Sequence, residues 1–434
     1  MPLRLSVIGT GYLGATHAAC MAELGYEVVG LDVDPAKVEL LRSGRVPFYE
    51  PGLDEVLARN IEAGRLRFTT SFAEVGEFAD VHFVCVGTPQ AAGAQRADTS
   101  QVFGSVESLL PHLRPGALVV GKSTVPVGTA HQLAERIAES GPEGAELAWN
   151  PEFLREGFAV EDTLHPDRLV IGVRSQRAED LLREVYAPVT AQGTPLLVMD
   201  FATAELVKVA ANSFLATKIS FINAIANVCE AVNADVRDVA LGMGYDARIG
   251  SDFLHPGPGF GGACLPKDTS ALLRTAEQYG YDFSVLRGVL DVNDRQRHRI
   301  VDKVRAMAGG DLSGARVAVL GLTFKANTDD LRDSPSLQIA EDLVAAGAVV
   351  RAFDPVAGEA AGRMVPGLEV AADAYDAAAG AGVLALLTEW DQFRWLDYTQ
   401  VAATMAVPRV VDARNLLDPA AMRRLGFTYQ GVGR

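Results

Sequence analysis

Cysteine is scarce in this 434-residue chain: Cys20, Cys85, Cys229 and Cys264 are the only four, with no close pair and no C-x-x-C spacing. That distribution argues against a disulfide framework and a zinc site and fits a reducing compartment. No metal is expected. Long apolar runs are missing too. No uncharged apolar stretch reaches the roughly 18 residues of a membrane span, and Met1-Pro2-Leu3-Arg4 leads directly into a strand-like run, leaving no room for a secretory leader. Positive charge is in deficit, 39 Lys and Arg against 55 Asp and Glu, a formal charge of −16. Such a balance disfavours nucleic acid and anionic membranes as partners, so an anionic ligand would need a locally basic pocket. The expectation is a cytoplasmic protein. With 49% apolar and 22% charged residues, the chain has an ordinary globular composition, and its length suggests two or three domains.

The apolar run Leu3-Arg4-Leu5-Ser6-Val7-Ile8 precedes Gly9-Thr10-Gly11-Tyr12-Leu13-Gly14, a helical stretch over residues 15–24, and a second strand, Glu27-Val28-Val29-Gly30-Leu31, ending at Asp32. Strand, Gly-x-Gly-x-x-Gly, helix, strand and acid form the dinucleotide-binding fingerprint in its required context. Each part has its own reason. Gly9 allows the tight turn, Gly11 lets a pyrophosphate approach the backbone, and Gly14 lets the helix pack on the sheet, while the helix N-terminus offers N–H groups to phosphate. Asp32 would accept hydrogen bonds from ribose hydroxyls and repel a 2′-phosphate, which favours NAD; Lys37 is a nearby cation that could instead serve a phosphate.

Two further stretches, residues 81–86 running into Gly87-Thr88-Pro89 and residues 117–126, read as buried-strand runs followed by turn residues, which puts Thr88 and Thr124 beyond the carboxyl ends of parallel strands, where ligands of doubly wound sheets bind. Residues 90–99 read as a polar loop without recognisable chemistry. In Asn150-Pro151-Glu152-Phe153-Leu154-Arg155-Glu156-Gly157 the two glutamates are four apart; on a helix they would share a face and repel, so they are either a functional pair or two solvated groups. Strands resume at residues 168–173 and 196–199. From 203 to 233 there is neither Gly nor Pro, which predicts one helix of roughly 30 residues, about 45 Å long. It is apolar on more than one face and should be buried by both domains or by a second subunit. Lys208 and Asn212 share a face of it, and a lysine that deep needs a partner.

The stretch Pro256-Gly257-Pro258-Gly259-Phe260-Gly261-Gly262-Ala263-Cys264-Leu265-Pro266-Lys267-Asp268 holds four glycines and cannot continue a helix or strand. With Pro266 in the first turn of a following helix, Cys264 falls at its N-terminus, where backbone N–H groups, the helix dipole and Lys267 favour thiolate. Taken alone, Cys264 is either that activated thiol or a small buried residue in a glycine-rich turn. A second α/β pattern begins at Arg316-Val317-Ala318-Val319-Leu320-Gly321 and repeats the strand, loop, helix, strand, Asp plan about 310 residues after the first, through residues 336–346 to Asp354. It lacks the glycine triplet, so its ligand should differ; Lys325 and Arg332 suggest phosphates. Residues 383–388 and 409–412 read as further strands.

Four segments together carry a resemblance: Gly259-Phe260-Gly261-Gly262-Ala263-Cys264-Leu265-Pro266-Lys267-Asp268, residues 150–156, Lys208-x-x-x-Asn212, and Gly321-Leu322-x-Phe324-Lys325-x-Asn327-Thr328-Asp329-Asp330-x-Arg332. In this order they resemble the UDP-glucose 6-dehydrogenase family, within the wider UDP-glucose/GDP-mannose dehydrogenase group, over nearly the whole chain. The resemblance implies an α/β fold of two Rossmann-like doubly wound domains joined by a long central helix that also forms a dimer interface. Residues 1–200 would bind NAD, 201–300 would form the central helical and catalytic-loop segment, and 301–434 would bind the UDP-sugar. It implies a four-electron oxidation of a sugar C6 alcohol with two NAD in turn, through a thiohemiacetal and a thioester on a cysteine. On this sequence the nucleophile is Cys264. Lys208 and Asn212 would stabilise oxyanions, Asp268 would position or activate water, and Thr124 and Glu152 would assist proton transfer. Cofactor contacts would include Gly9, Gly11, Tyr12, Leu13, Gly14, Asp32, Lys37, Thr88, Thr124, Glu156, Lys267 and Arg332. UDP-glucose would meet the segment Glu152, Phe153, Leu154, Arg155 and Glu156, then Lys208 and Asn212, the loop Phe253, Leu254, His255, Pro256 and Gly257, and Gly261 and Lys325. Arg248 would reach the substrate of a neighbouring subunit. A GDP-mannose 6-dehydrogenase shares the Cys-x-Pro-Lys-Asp core and is the alternative reading; a nucleotide-binding protein without catalysis is a third. Ala263, Leu265 and His255-Pro256 depart from the commoner family residues, as does the region 90–98.

Overall fold

A computed structural model of the protein describes residues 3–89 and 97–434. Part of the polar stretch expected to be a loop, residues 90–96, lies outside the described residues. The chain divides into two compact units, one running to Ala211 and including Ser270–Tyr279, the other comprising Asn212–Thr269 and Gly280–Arg434. Each is built on one sheet.

In the first unit the strands are β1 (Arg4–Ile8), β2 (Glu27–Leu31), β3 (Leu66–Thr69), β4 (Val81–Val84), β5 (Leu118–Gly121), β6 (Glu146–Trp149), β7 (Leu169–Gly172) and β8 (Leu196–Met199). Their order is β3-β2-β1-β4-β5-β6-β7-β8, and only β6 and β7 pair antiparallel. β1, β4, β5 and β7 read as near-continuous aliphatic runs because helices cover both faces of a parallel sheet. The helix Tyr12–Glu23 buries Ala15, Ala18, Ala19, Met21 and Ala22 against Leu5, Val7, Val28 and Phe83. The second unit repeats the plan with β9 (Arg316–Leu320), β10 (Val349–Phe353), β11 (Glu369–Val370), β12 (Val383–Leu386), β13 (Arg409–Asp412) and β14 (Thr428–Gln430), ordered β11-β10-β9-β12-β13-β14 and parallel throughout. Both sheets therefore have their switch point beside the first strand, between β1 and β4 and between β9 and β12.

The long helix is Phe201–Val232, 32 residues. It is long and apolar enough to cross a membrane by length and composition, yet it carries the buried polar residues Glu205, Lys208, Asn212, Ser213, Ser220 and Asn223, which a lipid environment would penalise. Asn233, at φ +56°, ends it in the left-handed region, and the Ala234 N–H donates to the Cys229 carbonyl across the turn. A second long helix, Ser284–Ala308, has no counterpart in the sequence reading. Its buried stripe, Leu286, Val289, Gln296, Ile300, Val301 and Val304, is interleaved with charged residues that face outward.

Candidate active site

At the first switch point Gly9 has φ +85°, and a Cβ there would lie 2.7 Å from Val86 Cγ1. Gly14 is as constrained: its Cβ would sit 1.8 Å from the Gly9 carbonyl oxygen. Gly11 differs. Nothing lies within 4 Å of its Cβ position, and as N-cap of the helix Tyr12–Glu23 it brings no side-chain cap. The first turn thus presents N–H groups to an open approach, the geometry that accepts a pyrophosphate. Asp32, at the end of β2, is buried; its Oδ2 accepts from the Thr10 N–H (3.0 Å), the Thr10 hydroxyl (3.1 Å) and Lys37 Nζ (2.9 Å), and its Oδ1 from the Asp34 N–H (3.1 Å). Burial pushes the carboxyl up, but Lys37 and the two backbone donors outweigh it and hold the group below its ordinary range. Oδ1 keeps a lone pair for a hydroxyl. These residues fit a dinucleotide. Thr88 donates to the Thr124 carbonyl at 2.7 Å, joining the loops after β4 and β5. Leu13 packs on the core, and the Tyr12 hydroxyl donates to the Glu50 carboxylate and accepts from the Gly157 N–H.

Residues 150–157 are not helical, so Glu152 and Glu156 do not form the same-face helical pair that their spacing allowed. Pro151 and Gly157, the latter at φ +81°, bracket a turn instead. Within it the Leu154 N–H donates to Glu152 Oε2 at 2.9 Å, and Lys208 Nζ lies 2.7 Å from Glu152 Oε1. Lys208 is buried and also lies over the Phe153 ring, 5.6 Å from its centroid. The partner that a deep lysine needs is therefore Glu152. Arg155 forms two side-chain hydrogen bonds with Asp162, at 2.7 and 2.9 Å, and Glu156 begins the turn into Gly157. Glu50 anchors the segment's far end by accepting from the N–H groups of Gly157 and Ala159, both at 2.7 Å. Sequence reasoning missed Glu50, and it also missed a cluster behind Glu152. There Lys122 Nζ donates to Asn150 Oδ1 at 2.8 Å, and the Tyr186 hydroxyl donates to the same oxygen at 2.5 Å. All three side chains are buried. A lysine directly after a buried strand run is the signal that could have found it.

In the second unit Cys264 immediately precedes the helix Leu265–Gln278, and the Asp268 N–H donates to its carbonyl at 2.9 Å. It is the N-cap, as Pro266 led one to expect. Cys20, Cys85 and Cys229 are buried while Cys264 is partly exposed; burial pushes the thiols of Cys20 and Cys85 up to about 12. Asp268 is buried and accepts from Asn212 Nδ2 at 2.6 Å and Lys267 Nζ at 2.8 Å. Asn212 follows Lys208 by one turn on the long helix.

The loop before Cys264 is held from three sides. The Gly257 N–H donates to Asn223 Oδ1 (2.8 Å) and its carbonyl accepts from Gln296 Nε2 (2.9 Å). Asn293 clamps Phe260, accepting from its N–H at 2.8 Å and donating to its carbonyl at 3.0 Å. The Gly262 N–H donates to the Arg332 carbonyl at 3.0 Å, and a Cβ on Gly261 would lie 2.2 Å from the Asp333 carbonyl oxygen. Phe253 takes φ +63°, Leu254 enters the core, His255 is exposed and Pro256 is buried. Lys325 lies over the Phe324 ring, Arg332 is paired with Asp330 at 2.7 Å, and Arg248, largely exposed, is paired with Asp246 at 2.6 Å.

Known proteins match the chain along its whole length. Residues 3–190 match the NAD binding domain of the UDP-glucose/GDP-mannose dehydrogenase family, residues 202–295 its central domain and residues 318–419 its UDP binding domain. The UDP-glucose 6-dehydrogenase of Rhizobium meliloti is 44% identical over 435 residues, covering 100% of both chains. A UDP-glucose dehydrogenase structure from Pyrobaculum islandicum matches with a TM-score of 0.92 and 39% identity, covering 100% of this chain and 98% of that one. A UDP-D-ManNAc dehydrogenase structure from Pyrococcus horikoshii matches with a TM-score of 0.87 and 27% identity, covering 100% and 99%. With all three domains matched in order and identity sustained over the full length, the chain belongs to the UDP-glucose/GDP-mannose dehydrogenase family.

Proposed function

We propose that the protein oxidises UDP-glucose to UDP-glucuronate with NAD, using Cys264 as a covalent nucleophile. The observation that carries this reading is Cys264 at a helix N-terminus, with Asp268, buried and hydrogen-bonded to Asn212 of the long helix, one turn further along. A simple alcohol dehydrogenase needs no such thiol; an enzyme that carries an alcohol to a carboxylate does. Two molecules of NAD, bound in turn, would each accept one hydride from C6. The chain's residues do the rest. The Cys264 thiolate adds to the C6 aldehyde, and the oxyanion that forms is stabilised by Lys208 and Asn212. Loss of the second hydride leaves a thioester, which water, positioned by Asp268, hydrolyses to release the thiol. Glu152 and Thr124 handle the alcohol proton.

Residues 1–200 would hold NAD, the 201–300 segment would supply the nucleophile loop, and 301–434 would grip the UDP-sugar through Lys325. Lys267 and Arg332, each paired with an aspartate, would exchange toward the cofactor, and Arg248 is exposed enough to serve a second copy's site. Dimerisation is supported by Phe214, Phe221, Val228 and Val232, exposed along one face of the long helix. UDP-glucose as substrate is supported by the match to the family's UDP binding domain and by full-length relatives that are UDP-glucose 6-dehydrogenases. The test is NADH yield per mole of limiting sugar nucleotide under excess NAD. Two per UDP-glucose is expected, and Cys264→Ser should abolish acid formation while NAD binding stays near normal. One NADH would reduce the enzyme to a simple dehydrogenase, undiminished acid from the serine variant would sink the covalent route, and two with GDP-mannose but none with UDP-glucose would transfer the substrate.

A further inference from the structure

We infer that the second unit carries a binding site for a small hydroxylated organic anion, a sugar acid or a sugar phosphate, in a cleft where the end of the long helix meets the helix Pro419–Arg424 and β14. The cleft has a volume of about 650 Å³, within the range of small-molecule sites. One side is the end of the long helix, from Cys229 into the turn at Asp235; the other runs from Asp418 to Arg423 and takes in Tyr429 and Arg434. None of the residues assigned above to NAD, to the sugar nucleotide or to the chemistry lines it. The site is therefore additional to the one already described.

The lining holds three acids, Glu230, Asp235 and Asp418, and three bases, Lys303, Arg423 and Arg434, and the two sets are spent unequally. Glu230 is saturated: its Oε1 accepts from Lys303 Nζ at 2.7 Å and from the Gly433 N–H at 2.8 Å, and its Oε2 accepts from Arg299 at 3.2 Å. Asp235 and Asp418 each accept at the start of a helix, from the Arg237 N–H at 2.8 Å and the Ala421 N–H at 2.5 Å. Of the bases only Lys303 is fully committed. Arg423 has no carboxylate partner among the described residues; its guanidinium lies 5.9 Å from the centroid of the Tyr429 ring, which is fixed by its hydroxyl donating to Asp412 Oδ2 at 3.0 Å. Arg434 Nε lies 3.6 Å from Asp235 Oδ2, too far for a hydrogen bond, and its Nη1 is buried with no partner. A buried guanidinium N–H without an acceptor is unfavourable until one is supplied. Both arginines thus keep donors whose planar fork matches a carboxylate or a phosphate. The side-chain amides of Asn233 and Gln430 have no hydrogen-bond partner among the described residues either, and they suit hydroxyls. The unspent groups are mostly donors. Their complement is an anion that carries hydroxyls, not a cation or an apolar molecule.

The test is titration calorimetry of the full chain at low ionic strength with three probes: D-glucuronate, D-glucose 1-phosphate and neutral D-glucose. At least one of the two anions should bind with a dissociation constant of about 1 mM, the affinity of an ordinary ligand of about a dozen heavy atoms, and glucose should not bind. Arg423→Gln and Arg434→Gln should each weaken the anion by about tenfold or more, whereas Lys325→Gln, in the loop proposed to grip the UDP-sugar, should leave that binding in place. Arg423 is exposed, so its variant keeps the fold and decides the matter if the Arg434 variant does not. The tighter of the two anions tells whether carboxylate or phosphate is the group recognised. Binding of neither anion, glucose held as tightly as the anions, or anion binding that survives both arginine substitutions overturns the inference. NADH formation from UDP-glucose should be unchanged in both arginine variants, so the proposed function stands or falls separately from this site.

Discussion

Replacing Lys122 with methionine should make the protein more stable at neutral pH, and the gain should vanish in alkali. Burial is the largest influence on this ammonium and lowers its pKa from 10.5 to about 8; the nearby Lys208 pushes the same way, while Cys85 and Glu152 pull back. A proton affinity reduced that far corresponds to about 3 kcal/mol of cost for the charged form. The sign follows from proton counting. Between pH 8 and 10.5 the unfolded chain binds the proton and the folded one does not, so stability climbs with pH across that window; below pH 8 both states are protonated and the full cost is present. Methionine removes the cost but also the charged hydrogen bond to Asn150, worth about 2 kcal/mol. The net gain at pH 7 is about 1 kcal/mol, which for a unit of this size is a rise of about 2–4 °C in melting midpoint. Calorimetry of wild type and variant from pH 7 to 10.5 checks it, since other titrating groups cancel in the difference. A variant that melts below wild type at pH 7, or a difference that does not shrink with pH, refutes the reasoning.

Asp32→Ala removes the carboxylate that would repel a 2′-phosphate and leaves Lys37 in place, so the preference for NAD over NADP, measured as a ratio of kcat/KM values, should fall by about 10–100-fold; an unchanged ratio removes Asp32 from that role. Gly261→Ala drives a methyl onto the Asp333 carbonyl and Pro335 Cδ, at 2.2 and 2.6 Å, and should raise the UDP-glucose KM at least about tenfold or unfold the second unit, while NAD affinity is retained; normal kinetics would contradict this seating of the loop. If the proposed dimer forms through the exposed apolar face of the long helix, Phe214→Glu should halve the mass seen by sedimentation, and an unchanged mass would remove that face from the role.

What the sequence disclosed was local. The glycine fingerprint and the N-cap position of Cys264 depend on residues adjacent in the chain, and both stand in the structure as the sequence implied. The 150–157 segment was harder, because a four-residue spacing suggests a helix only where Pro151 and Gly157 permit one. Lys122 was illegible for a different reason: its burial is set by β4, by Asn150 after β6, and by Tyr186, none of them near in sequence. The same holds for Glu50, which reaches Gly157 across 107 positions, and for the helix Ser284–Ala308, whose buried stripe emerges only against its neighbours.

The two sheets also explain why one chain carries two different nucleotide sites. Their first loops are equivalent: Gly9 and Gly321 sit at φ +85° and +90°, each donating its N–H to the end of the second strand, at Leu31 and Phe353. Asp354 repeats the work of Asp32, accepting from the N–H groups of Leu322 and Thr323. The difference lies two residues past the glycine. Gly11 leaves open space before a helix that starts at once, whereas Thr323 is fully buried, with its hydroxyl between Asp354 and Trp390 Nε1. Where the first unit opens a path to helix N–H groups, the second fills it, and its helix begins only at Pro335. A pyrophosphate cannot approach the second sheet as it approaches the first: with Thr323 filling the turn and the helix starting only at Pro335, no first-turn N–H groups stand open beside Gly321.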